Sequence, residues 1–100
     1  MTVSPRDHLA ATNRLRRALL AFQAARDLHL GAHRRLKALP QTEVEAFWDG
    51  PGRRVEADTR RAAAAVVMAF KAFSAAGLVA DASDRRLVSE AQRVLAEDVV

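Results

Sequence analysis

The chain is expected to be all-α: a small helical bundle of three main helices, at about 5–38, 53–76 and 82–97, plus a short helical turn at about 43–48. Three observations predict it. Apolar residues recur at spacings of three and four along each long segment, which sets them on one face of a helix. No segment alternates apolar and polar residues, so strands are not expected. The strong breakers fall between the periodic segments, at Pro40, at Asp49-Gly50-Pro51-Gly52 and at Gly77. A length of 100 residues makes a single domain, 1–100.

The first helix opens on Ser4-Pro5-Arg6-Asp7. Ser4 can cap, Pro5 suits the first helical position, and Asp7 stands where a capping box wants an acid. No proline follows until Pro40, so the helix is predicted to run to about Ala38, roughly 50 Å at 1.5 Å per residue. Its apolar face carries Ala11, Leu15, Ala18, Leu19, Phe22, Ala25, Ala32 and Leu36. Gly31 lies inside the span and weakens it by ~1 kcal/mol relative to Ala, so a bend or break is expected there if anywhere. Thr42-Glu43-Val44-Glu45 reads as a second capping box opening the short turn, and Asp49-Gly50-Pro51-Gly52 is expected to break the chain completely.

The third segment organises the rest. Between Ala62 and Phe70 no side chain is polar, and a helix that is apolar nearly all round should be buried on most sides. Val55, Ala62, Val66, Phe70 and Phe73 mark its core line, and Gly77-Leu78 reads as a left-handed C-terminal cap with its apolar contact. Asp81-Ala82-Ser83-Asp84 caps the last helix, whose apolar face is Leu87, Val88, Ala91, Val94 and Leu95. On these lengths the first helix outruns the third by about three turns. The overhang must break near Gly31, pack on the last helix, or pack on a second subunit.

Composition narrows the function classes. With no Cys there is neither a disulfide framework nor a thiolate metal site. The opening residues lack the basic-then-apolar order of a signal peptide, and no apolar run approaches the ~20 residues that span a bilayer. A soluble, cytoplasmic protein with no membrane partner is therefore expected. Residues 1–39 carry eight basic and two acidic groups, a balance of +6, whereas residues 40–100 carry eight basic and ten acidic groups, a balance of −2. The positive charge is concentrated in the first helix.

No catalytic constellation is legible, so an enzyme, a cofactor and a small-molecule substrate are not expected. Ser4, Ser74, Ser83 and Ser89 have no activating context, and no glycine loop is followed by Lys-Ser or Lys-Thr. Glu43 with Glu45 and Asp81 with Asp84 sit at predicted helix starts, where acids complement the dipole; Glu97 and Asp98 form a third acidic pair. His29 and His33 are four apart and share a helix face, as a metal site would want. Leu30 stands where a zinc-protease motif needs Glu, and the nearby Asp27 points elsewhere on the helix. No metal is expected on these grounds.

Surfaces are the stronger candidates. Arg6, Arg16, Arg17, Arg34 and Arg35 lie opposite the apolar face of the first helix, a row that could follow a phosphate backbone or meet an acidic partner. Leu9 and Leu20, eleven apart on the same helical line, are candidates for self-association. Phe47 and Trp48, with Arg53 and Arg54 across the Gly/Pro loop, are the expected contact points for a protein partner, because Trp and Arg dominate interface hot spots. The leading functional expectation is a non-enzymatic protein–protein interaction module, a small adaptor or inhibitor of phage or bacterial type that self-associates as a homodimer. The alternative is nucleic-acid binding through the basic face.

Trp48-Asp49-Gly50, at mid-chain between predicted helices, resembles the Trp-Xaa-Gly family of small helical-hairpin proteins exported by type VII secretion. The resemblance implies a hairpin that pairs as a dimer and leaves the cell. The family's Tyr-led tail signal has no counterpart, since the chain has no Tyr, and Gly77 with a capped fourth helix interrupts the long second helix of that pattern. Export is therefore a second alternative.

Overall fold

A computed structural model describes residues 4–97; Asp98, of the third acidic pair, lies outside them. The chain is an all-α bundle. Helix α1 spans Pro5–Ala38, α2 Gln41–Phe47, α3 Arg53–Ala75 and α4 Ala82–Ala96, with a π-helical segment at Trp48–Gly52 joining α2 to α3. Among the described residues there are no strands.

The predicted caps of α1, α3 and α4 are present. Ser4 Oγ accepts from the Asp7 backbone N–H at 3.2 Å, and Asp81 Oδ1 accepts from that of Asp84 at 2.8 Å. Each satisfies one of the free N–H groups of a helix start. At the end of α3, Gly77 takes φ +80°. Leu78 N–H donates to Phe73 O and Gly77 N–H to Ser74 O, the paired bonds of a Schellman motif. Helix α1 runs unbroken through Gly31.

Two local expectations are overturned. Thr42 does not cap α2: the cap is Pro40, without a side-chain hydrogen bond, and Glu43 N–H donates to Pro40 O at 2.9 Å. The fixed φ of proline (−58° here) lets the chain enter the helix two residues earlier. More consequentially, Asp49-Gly50-Pro51-Gly52 does not break the chain. Trp48, Gly52 and Arg53 all hold right-handed helical angles, and the path is helical throughout 41–75. An α-helical Pro51 would drive its ring into the carbonyl four residues back. The wider π turn relieves that clash, and Gly50 presents no Cβ to the ring that follows it.

The join changes the length argument. The helical path facing α1 has 35 residues (7, 5 and 23 in its three parts) against the 34 of α1, so the expected overhang does not exist. The two rods form an antiparallel hairpin about Leu39 and Pro40. Their register is set by His8 Nε2, 3.1 Å from Ala76 O, and by Thr59 Oγ1, which donates to Ala25 O at 3.4 Å. The molecule is accordingly elongated, 60 × 25 × 21 Å.

Helix α4 folds back over one side of the hairpin. The core is built from Leu15, Leu19 and Phe22 of α1, Ala63, Val66, Ala69 and Phe73 of α3, and Val88 and Ala91 of α4, closed by Ala80. Phe22 and Val66 are the largest wholly buried side chains. Arg26 ties α1 to α4 through Glu90, with 2.5 Å between Nη1 and Oε2.

Candidate interaction face

The Ala-rich segment is covered on two sides only. Ala63, Val66 and Ala69 are buried between α1 and α4, but Ala64, Ala65 and Met68 are exposed, Met68 at 56%. The expectation that this segment is buried on most sides is thus corrected. Only α1 and α4 flank α3, and α4 occupies one side of the hairpin while nothing among the described residues covers the other.

On that open side a shallow groove of about 360 Å³ runs between α1 and α3, lined by Ala21, Ala24, Ala25, Leu28, Val55, Asp58 and Ala62. Ala65, three residues on from Ala62, continues the same helix side, whereas Met68 is turned about 120° from Ala62 on the helix. The floor is alanine, so another helix could approach closely. Leu28 stands 61% exposed at its edge. Leu28 is absent from the sequence-derived candidates, although Ala21, Ala24 and Leu28 at spacings of three and four form a second, weaker apolar stripe beside the core stripe of α1. Leu30 and Val79, also exposed, carried no such signal.

The sequence-derived candidates are dispersed. Leu9 and Leu20 are exposed at 61% and 60%, on α1 but outside the groove lining. Phe47 and Trp48 are half-buried, their rings 6.0 Å apart edge to face and wrapped around Gly52; Trp48 also meets His33 edge to face at 5.8 Å. Much of that aromatic surface is therefore engaged within the chain, while Arg53 and Arg54 beside it are exposed. Arg6, Arg16, Arg17, Arg34 and Arg35 are all exposed, as a solvated face requires. Arg16 borders a cavity of about 200 Å³ together with Asp81 and Asp84, so acids of the α4 start moderate the field of the basic row at that point. Trp48-Asp49-Gly50 lies within a continuous helical path and not at the interhelical turn, contrary to its expected place between two helices.

The histidines and acids are engaged locally. His8 Nε2 donates to Ala76 O, an otherwise free carbonyl at the end of α3. His29 and His33 share a hydrogen bond between their Nε2 atoms at 3.1 Å. A second cavity, of about 320 Å³, has His29, Glu56, Arg60 and Glu97 at its walls. Among the described residues no three of His, Cys, Asp and Glu converge as a ligand cluster, and no helix is long and apolar enough to cross a membrane.

Set against known protein families, curated proteins and solved structures, the chain matches none.

Proposed function

We propose that this chain is a non-enzymatic helical interaction module that self-associates through the open α1/α3 side of its hairpin. The observation that carries the reading is the alanine-floored groove between α1 and α3, edged by the exposed Leu28 and continued along α3 by the exposed Ala65. The hairpin runs the length of a molecule of 60 × 25 × 21 Å, so a second rod can lie along its open side. A second copy, presenting the same alanines and leucine, is apolar where this side is apolar and small where it is small. Two-fold pairing of one patch with itself is also the commonest way that soluble chains associate.

Sedimentation equilibrium tests it. The wild-type chain is expected to dimerise at micromolar concentration. Leu28→Glu and Ala65→Glu each set a charge on the proposed patch at an exposed position, and each should give a folded monomer. Leu20→Glu should leave the dimer intact; a monomer from Leu20→Glu with a dimer from Leu28→Glu would move the contact to the outer face of α1 and overturn the assignment.

The alternative, binding of a nucleic-acid backbone, is supported by the exposure of all five α1 arginines of the basic row. It requires affinity that falls steeply with salt. The Asp81 and Asp84 carboxylates beside Arg16 weigh against it at one point of the row.

A further inference from the structure

We infer that His29 and His33 form a two-imidazole clip for a late first-row divalent ion such as Zn²⁺, Ni²⁺ or Cu²⁺, with water completing the coordination. Sequence spacing puts the two on one helix face; the structure adds which ring nitrogens meet and how far apart they stand. Nε2 of His33 lies 3.1 Å from Nε2 of His29. An ion held ~2.0–2.1 Å from each nitrogen needs donors about 2.9 Å apart at a right-angled site and about 3.4 Å apart at a tetrahedral one. The observed separation falls between these, so one ion can bridge the pair with little movement of either ring.

The hydrogen bond already between the rings has the form of a metal-free clip. One Nε2 carries a proton and donates it toward the lone pair of the other. Binding needs both Nε2 lone pairs, so the donor ring takes its Nδ1–H tautomer, the proton transferring through solvent, and the ion sits to one side of the line joining the two nitrogens, at the apex of a triangle with them. Both rings stay neutral. Imidazole pairs suit Zn, Ni and Cu, and not the oxygen-seeking Mg and Ca. Glu56, Glu97 and Arg60 share the cavity wall with His29, Arg60 is paired with Glu56, and the neighbouring Arg26 is held by Glu90, so these arginines beside the clip are balanced by carboxylates. The clip spans Gly31, the one glycine inside α1, and would brace that helix where its intrinsic propensity is lowest.

Trp48 supplies the readout. It is the only tryptophan in the chain, and its ring stands 5.8 Å from that of His33, so Cu²⁺ or Ni²⁺ seated on the clip should quench its fluorescence. Titration with CuCl2 at neutral pH is expected to quench with one ion per chain. His29→Ala or His33→Ala should weaken the apparent affinity at least ten-fold, and His8→Ala should leave it unchanged. ZnCl2 should raise the melting temperature of the wild type and shift the imidazole NMR signals of His29 and His33 but not those of His8. The NMR arm stands even if a variant folds poorly. Quenching that persists in His29→Ala and His33→Ala, one ion per two chains, or Zn²⁺ shifts confined to His8 would each overturn the inference.

Discussion

Glycine carries opposite roles at two places on the same hairpin. The register that sets Ala25 beside Thr59 also sets Ala32 level with Gly52, and both are buried. A Cβ on Gly52 would come within 2.8 Å of Trp48 Cε3 and 3.0 Å of Phe47 Cε1. At Gly31 a Cβ meets nothing within 4 Å. Gly52→Ala should therefore destabilise the fold by about 1–3 kcal/mol through overpacking, whereas Gly31→Ala should stabilise it by about 1 kcal/mol through helix propensity alone. Urea unfolding at matched protein concentration checks both, and equal effects of the same sign would refute the contrast. Nothing in the sequence separates these glycines as to the space around them. That space is made by two aromatic rings whose positions depend on the π turn.

The π turn is also the decisive feature among the elements. Gly-Pro-Gly is a strong stop signal, and reading it as one is sound local chemistry. It fails here because α1 offers a partner rod of equal length, so a continuous helix keeps packing where a broken one would leave Trp48 and Phe47 without neighbours. The expected NMR signature is unbroken: helical Cα shifts from Gln41 to Ala75, with slower exchange for amides in α3 than in α2, since α2 has no buried residue and short exposed helices open readily. A run of random-coil shifts over residues 49–52 would show that the helix is broken there. The caps, by contrast, were legible at Ser4, Gly77 and Asp81, because capping is settled by a few residues acting on their own backbone. Thr42 is the exception, displaced as cap by the rigid proline two positions earlier.

At the scale of the molecule, Val88 and Ala91 in the core hold α4 to the hairpin, and so does the Arg26–Glu90 ion pair, whose side chains are 34% and 28% exposed. With that much solvent screening the pair should contribute about 0.5–1 kcal/mol, far less than the apolar seam. A double-mutant cycle with Arg26→Ala and Glu90→Ala measures it; a coupling above about 2 kcal/mol would show that the pair, and not the seam, fastens α4. Removing core volume at Phe22 is the more damaging change, with Phe22→Ala expected to lose about 3–5 kcal/mol.

Read alone, the residues determined that the chain is helical, where α1 and α4 begin and end, where α3 stops, which faces of α1 and α4 meet the core and that the base lies on α1. Each of these depends on neighbours within a turn or two. Only the tertiary structure decided that 41–75 is one helical path and that α4 leaves one side of the hairpin open, whereas the approach of His29 and His33 follows from their spacing on one helix. The path and the open side follow from what lies across the bundle: a proline is absorbed or obeyed, an alanine strip wet or covered, according to packing partners on another helix.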